Sequence, residues 1–277
     1  METKSVKQAV VESYGKLAQT RKKGLLNQLF ACCNPAEGAQ KVATAIGYSE
    51  QELQDAPQDS NLGVGCGNPA ALALIKEGET VVDLGSGAGF DAFIVSHKVG
   101  PQGKVIGVDL SEDMLKLARK NAHQGNFTQV EFVQGDIENL PLPHEIADHV
   151  ISNCVINLSL RKDLVYQEAF RILKPGGKLS ISDIILEKEL PEFIKQSLGA
   201  HIACISGAEK LENYLSYIQK AGFQNINIES SSTFPLELML ADPHIQLLAK
   251  KMNIDLMGKE AKEMASRVKS VSISATK

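Results

Sequence analysis

The stretch Val82-Asp83-Leu84-Gly85-Ser86-Gly87-Ala88-Gly89-Phe90 decides the fold. An apolar run of β type enters a turn carrying three glycines, and a helical pattern leaves it at Phe90. Glycines there let the backbone come close to a ligand, and the helix N-terminus presents free N–H groups to it. The spacing is G-x-G-x-G, whereas the dinucleotide fingerprint would put its third glycine at position 90, where this chain has Phe90. That departure argues against a nicotinamide enzyme. The following β-type run ends on Asp109, where a carboxylate can accept both hydroxyls of a ribose.

Outward from this turn, β-type runs alternate with helical patterns. Residues 80–84, 104–109, 129–134, 147–153 and 177–183 read as strands, which predicts βαβ units and a parallel sheet. Residues 223–229 and 268–275 add a sixth and a seventh strand, after helices over 192–206 and 209–221. The expected fold is therefore α/β and Rossmann-like, a mostly parallel seven-stranded sheet with helices on both faces. Before the sheet, residues 6–17, 25–30 and a run after Pro35 are expected to be helical, and Ser49 with Glu52 forms a capping box. A glycine-rich loop over 59–67 precedes Asn68-Pro69, an N-cap and N1 proline for a helix ending near Gly78. We divide the chain into an N-terminal helical extension (1–60), a ligand-binding core (61–230), and a helical insertion with the final strand (231–277).

Composition narrows the partners. The 277 residues, 43% hydrophobic and 22% charged, suit one large domain or a domain with a lobe. A net charge of -4, no basic run and no Trp give no footprint for nucleic acid or an anionic membrane surface. Apolar stretches such as 70–75 fall far short of the roughly 20 residues of a membrane span. The start METKSVKQ does not read as a secretory signal, so a reducing cytoplasm is expected. There the five cysteines are free thiols. The expected partner is a small molecule.

The turn spacing, preceded by Asp83, is the one methyltransferases use, which points to S-adenosylmethionine and to Asp83, Gly85, Gly87, Gly89 and Asp109 as residues that hold it. After the third strand, Asp136 is placed to accept the adenine amine and Ile137 to cover the ring; a turn Asp that only caps its loop is the plainer alternative. Asn153 closes the fourth strand at the crevice where strand order reverses. The turn 173–177 reads as structural.

Three cysteines flank these segments: Cys66 in the glycine loop, Cys154 directly after Asn153, and Cys204 on the helix after the fifth strand. Cys154 and Cys204 have a plainer explanation as small buried hydrophobes, whereas Cys66 in a polar glycine loop is poorly explained that way. A structural zinc site is disfavoured, because Cys32-Cys33 are adjacent and no C-x-x-C exists. His201 stands one helical turn from Cys204 and reads as a helix-surface residue or a donor to a neighbouring ligand. The start of the helix after Cys66 is expected to favour its thiolate.

The stretches Gly65-Cys66-Gly67-Asn68-Pro69, Asp83 to Asp91, Ser152-Asn-Cys-Val-Ile-Asn-Leu158 and Cys204-Ile-Ser-Gly-Ala208 resemble those of the arsenite methyltransferases, within the class I S-adenosylmethionine methyltransferases. The resemblance covers about residues 10–230 and includes Tyr14-Gly15 and Cys32-Cys33. It implies methyl transfer from S-adenosylmethionine to trivalent arsenic, giving methylarsenite and dimethylarsenite and so detoxifying arsenite. It further implies Cys66, Cys154 and Cys204 as the arsenic(III)-binding thiols and one of Cys32 and Cys33 as a partner of Cys66 in the first methylation. Tyr14 would lie near the methyl donor, and an external thiol reductant, thioredoxin or glutathione, would serve turnover. Two readings from other classes stay open: a class I methyltransferase of another small molecule of isoprenoid or quinone type, and a non-catalytic thiol-based metalloid-binding protein.

Overall fold

A computed structural model of the chain describes residues 3–22, 35–233 and 265–277, with residues 250, 255, 258 and 263 between them. The strands are β1 (Thr80–Leu84), β2 (Lys104–Asp109), β3 (Val130–Gln134), β4 (Ala147–Asn153), β5 (Leu173–Leu186), β6 (Gln224–Thr233) and β7 (Val268–Thr276). They form one sheet in the order β3-β2-β1-β4-β5-β7-β6. β1 pairs in parallel with both β2 and β4, so the chain winds outward to β3 and then returns across β1 to start β4. In such sheets the crevice beyond the carboxyl ends of the two strands at the reversal is where ligands bind. Here those ends are Leu84 and Asn153. β7 runs antiparallel to both β5 and β6.

The helices follow from capping and from which residues can be buried. They are α1 (Thr3–Lys22), α2 (Pro35–Ala45), α3 (Glu50–Asp55), α4 (Pro69–Leu72), α5 (Phe90–Val99), α6 (Glu112–Gln124), α7 (Lys162–Ile172), α8 (Glu192–Lys195), α9 (Leu198–Ile202) and α10 (Leu211–Lys220). The Ser49 and Glu52 capping box starts α3 as expected, and Asn68 caps α4 with Pro69 in the first turn. Successive strand residues point to opposite faces, and Val81 packs with Phe93 and Leu115 while Val82 and Leu84 pack with Tyr166 and Tyr214. Both faces of β1 are thus covered by helices, as its continuous apolar run requires. α1 lies over the crevice: Leu17 and Ala18 are buried with Met114 and Leu117 of α6.

Several boundaries differ from the sequence reading. α4 stops at Leu72 rather than near Gly78, because Ala73 turns extended and the Gly78 N–H is committed to the Val99 carbonyl at 2.8 Å. β5 begins at Leu173 and continues to Leu186, since β7 pairs along it from Lys178 to Leu186. The helix expected over 192–206 is two short helices, because the Ser197 side chain caps a new one by accepting from Ala200 N–H. The helix expected over 25–30 and most of the 231–267 insertion lie outside the described residues.

Candidate functional site

The crevice opens into a cleft enclosing about 1270 Å³, the solvent at its mouth included, walled by the glycine turn after β1, the ends of β2, β3 and β4, and α1. Tyr14, Asp83, Gly85, Gly87, Asp109, Asp136, Ile137 and Asn153 all line it. Gly89 does not, in contrast to the sequence expectation. A side chain there would lie 2.6 Å from the Phe132 ring and 2.7 Å from that of Phe93, so this glycine serves the packing beneath the turn.

Asp109 ends β2 with its carboxylate turned toward the glycine turn. Its Oδ2 accepts from Gly87 N–H at 2.9 Å and its Oδ1 from Ser111 N–H at 2.8 Å. Burial pushes this carboxyl up, and the backbone donors at Ser111 and Gly87 pull it back toward the ionised form. Asp136 is held differently: Oδ2 accepts from Lys7 Nζ at 2.6 Å and Oδ1 from Glu138 N–H at 3.0 Å. Lys7 also reaches Glu138 Oε2 at 2.5 Å, which ties α1 to the loop after β3. Tyr14 donates its hydroxyl to the Ile202 carbonyl at 3.1 Å, so α1 also touches α9.

Two features test the cleft for a nucleoside ligand with charged ends. The Ser86 Oγ is buried with no hydrogen-bond partner among the described residues. Gly87 has φ +52, and a Cβ there would meet nothing within 4 Å, so its missing side chain leaves cleft space free. An unpartnered hydroxyl, an open glycine cradle and the Asp109 carboxylate fit the hydroxyls and charged end of S-adenosylmethionine.

At the end of β4 three cysteines from distant segments come together. Cys66, Cys154 and Cys204 are buried in one cluster with Ile184, Leu190 and Ile205. The sulfurs of Cys66 and Cys154 and a carboxylate oxygen of Asp183 all lie within 4.8 Å of one another. The Cys204 thiol donates to the Cys154 carbonyl at 3.0 Å, and that of Cys66 to the Ser182 carbonyl at 3.4 Å. Of the three, Cys154 lines the cleft. Cys32 and Cys33 lie outside the described residues.

The electrostatics overturn one expectation. Cys66 is pushed up to about 11, by burial first and then by the nearby Asp183 carboxylate and Cys204, while its contact with Cys154 pulls the other way. Cys154 is held well above the ordinary thiol range: its bond with Cys204 lowers it, but the Cys66 contact and burial outweigh that. The helix start after Cys66 therefore does not produce a thiolate, and these groups are neutral thiols near pH 7.

Two further positions differ from the sequence reading. Cys204 lies beyond the end of α9, not on a helix, and has φ 60; Cys154 has φ 59. Non-glycine residues adopt this left-handed conformation at a cost of roughly 1–2 kcal/mol, and such strain concentrates at functional sites. His201 is buried rather than on the helix surface, its Nε2 3.0 Å from the Leu158 carbonyl, and burial lowers its pKa.

Sequence reasoning missed Asp183. It ends the run Ser180-Ile-Ser-Asp183 beside the cysteines, accepting from Asn157 Nδ2 at 2.8 Å, Ile184 N–H at 2.8 Å and the Tyr214 hydroxyl at 3.1 Å. Its place as the last residue of the strand read over 177–183 was the available signal. Burial holds it up at about 6, against the pull of those donors.

A family model described as a methyltransferase domain matches residues 75–229. The arsenite methyltransferase of Halobacterium salinarum is 38% identical over 200 residues, 71% of this chain and 50% of that protein. That of Mus musculus is 37% identical over 186 residues, 64% of this chain and 49% of that protein. The chain thus spans about half the length of these curated relatives. Among solved structures, an arsenic(III) S-adenosylmethionine methyltransferase from Chlamydomonas reinhardtii is similar with a TM-score of 0.62 and 27% identity, over 86% of this chain and 72% of that one.

Proposed function

This chain belongs to the methyltransferase-domain family, and on that premise we propose that it moves methyl groups from S-adenosylmethionine to trivalent arsenic, converting arsenite to methylarsenite and dimethylarsenite. The observation that carries the proposal is the meeting of Cys66, Cys154 and Cys204 at the end of β4, beside the glycine-turn cleft. Trivalent arsenic is soft and three-coordinate, so thiol sulfurs are its natural ligands.

The neutral state of the Cys66 and Cys154 thiols suits this substrate. Arsenite is an uncharged trihydroxide, and each sulfur that binds arsenic displaces one hydroxide, which leaves as water with the thiol proton. Capture by three cysteines therefore releases three waters and buries no net charge, where burial of an ion would be costly. Three sulfurs on one side leave the arsenic lone pair facing away from them. Cys154 is the cysteine that lines the cleft, so arsenic bound to it lies at the edge of the space open to the methyl donor. When bound, S-adenosylmethionine supplies an electrophilic methyl group. The lone pair carries no proton, so the chain needs no general base and contributes chiefly positioning, which can be worth roughly 7–11 kcal/mol.

In this reading Asp109 holds the ribose hydroxyls, Asp136 and Ile137 the adenine, and Tyr14 the region near the methyl donor. One of Cys32 and Cys33 joins Cys66 for the first methylation. Methyl transfer to the lone pair raises arsenic to the pentavalent state; a further thiol then takes one sulfur off it as a disulfide with loss of a proton, which returns the arsenic to trivalent methylarsenite. An external thiol, thioredoxin or glutathione in a reducing cytoplasm, reduces that disulfide, and the physiological outcome is arsenic detoxification. The test is formation of S-adenosylhomocysteine with and without arsenite, in the presence of a thiol. Arsenite-dependent formation supports the proposal; a rate that arsenite does not change overturns it.

A further inference from the structure

One side-chain amide joins the loop that carries Cys66 to the end of β4 and to the wall of the cleft. Asn153 Oδ1 accepts from the Cys66 N–H at 3.0 Å. On the other side of the same amide, Nδ2 faces three oxygens: the Gly67 carbonyl at 2.8 Å, the Tyr48 hydroxyl at 2.9 Å and Asp91 Oδ2 at 3.1 Å. Tyr48 in turn donates to Asp91 Oδ1 at 2.5 Å. Asp91 stands in the first turn of α5, directly after the glycine turn, and Tyr48 lies between α2 and α3. The amide therefore joins the Cys66 loop to the segment that forms the cleft wall.

The chemistry at position 153 is demanding. An acceptor must meet the Cys66 N–H while a donor with two hydrogens meets three oxygens, and asparagine alone supplies both at this length. Its capacity is used internally, which leaves little for the cofactor role expected from its place at the strand end. The loop is pressed close against its supports: a side chain at Gly67 would lie 2.6 Å from the Ser182 Cβ. The Cys66 carbonyl accepts from the Ser270 hydroxyl at 2.6 Å, so both backbone groups of Cys66 are held by side chains. Asp91 is buried, and the bonds from Tyr48 and Asn153 pull its carboxyl toward the ionised form against that burial, which leaves it at about 6.

We propose that Tyr48, Asp91 and Asn153 are positioning residues that fix the Cys66 thiol against Cys154, so that capture of unmethylated arsenic by three sulfurs depends on them while the methylarsenite step does not. The inference rests on the arsenic reading above. Methylarsenic has two remaining sites for sulfur, which Cys154 and Cys204 can fill, whereas arsenite needs the third thiol. A strut that holds only Cys66 therefore acts on one step and not on the other. Tyr48→Phe removes the hydroxyl shared by Asp91 and Asn153 and keeps the ring.

Two measurements on the full chain test this. In the first, kcat/KM is determined separately with arsenite and with methylarsenite. Tyr48→Phe is expected to lower the arsenite value by about tenfold or more, the scale of a lost buried hydrogen bond to a charged group, and to change the methylarsenite value by less than about threefold. In the second, maleimide modification is mapped by mass. Cys66, buried in the wild type, should react faster in Tyr48→Phe, with Cys204 unchanged. Asn153→Asp, which sets a carboxylate oxygen against three oxygens, should speed labelling of Cys66 further. Equal loss of both steps in Tyr48→Phe, or Cys66 labelling at the wild-type rate in both variants, overturns the inference. The labelling needs no turnover, so it judges the strut even if arsenite proves not to be the substrate.

Discussion

Replacing Asp109 with Ala removes the carboxylate that links β2 to the glycine turn. Two consequences follow from its geometry. The Gly87 and Ser111 N–H groups, bonded at 2.9 and 2.8 Å, lose their acceptor. Both border an open cleft, so water can replace the carboxylate in the free protein. The second consequence falls on the ligand: a ribose held by the carboxylate loses two hydrogen bonds to a charged group. Such bonds are worth about 1.5–3 kcal/mol each at most, and water partly replaces them, so a net loss of about 2–3 kcal/mol is expected. At 1.4 kcal/mol per tenfold, Kd for S-adenosylhomocysteine should rise by roughly 30- to 150-fold. Asp109→Asn, which keeps one acceptor oxygen, should fall near tenfold. Calorimetry with S-adenosylhomocysteine reads both values, and the amount of arsenite retained per chain, measured alongside, should match the wild type. Kinetically, KM for S-adenosylmethionine should rise with kcat little altered, the pattern of uniform binding. Unchanged affinity in Asp109→Ala, or loss of arsenite retention with it, would refute the assignment.

Other perturbations separate the remaining parts. Cys154→Ser and Cys204→Ser should abolish methylation of both arsenite and methylarsenite, whereas Cys66→Ser should lose chiefly the first; equal loss of both steps in all three variants contradicts the division. Lys7→Gln cuts the ion pairs to Asp136 and Glu138 that fasten α1 over the cleft, so stopped-flow release of S-adenosylhomocysteine should quicken severalfold; an unchanged rate removes α1 from the exit path. Asp183 gives a pH signature. Burial raises its carboxyl to about 6 from an ordinary value of 3.8, so its contribution to folding is complete below about pH 4 and is lost as pH rises through about 6. At 1.36 kcal/mol per pKa unit the change is roughly 3 kcal/mol. Denaturant titrations of Asp183→Asn between pH 4 and 7 should therefore show a flatter stability profile than the wild type; parallel profiles would contradict it.

The sheet was legible because its signals are local. Alternating apolar runs and helical patterns gave all seven strands, and the glycine turn with Asp109 placed the crevice. The capping residues Ser49, Glu52 and Asn68 act on neighbouring backbone groups, and they occur as expected. What escaped depends on contacts between distant segments. α4 holds good helix formers beyond Leu72, yet the chain leaves the helix to reach β1 past the end of α5. Cys204 follows a helical pattern, but its backbone turns left-handed where its thiol meets the Cys154 carbonyl. The sequence leaves His201 between a helix-surface residue and a donor because its carbonyl partner, Leu158, lies on another segment. The thiol state of Cys66 was misread for a related reason. A helix start lowers a thiol's pKa, but burial in apolar surroundings and a like charge raise it, and here the sulfur sits in an apolar cluster with a carboxylate beside it.

The most direct test of the account follows the methyl group itself. The chain is incubated with arsenite, a thiol reductant and S-adenosylmethionine carrying a deuterated methyl group, and the arsenic species are separated by mass. The account predicts labelled methylarsenite followed by labelled dimethylarsenite, and none of either from the Cys154→Ser variant. Unmethylated arsenic alone, from wild-type chain that calorimetry shows to bind S-adenosylmethionine, would contradict it.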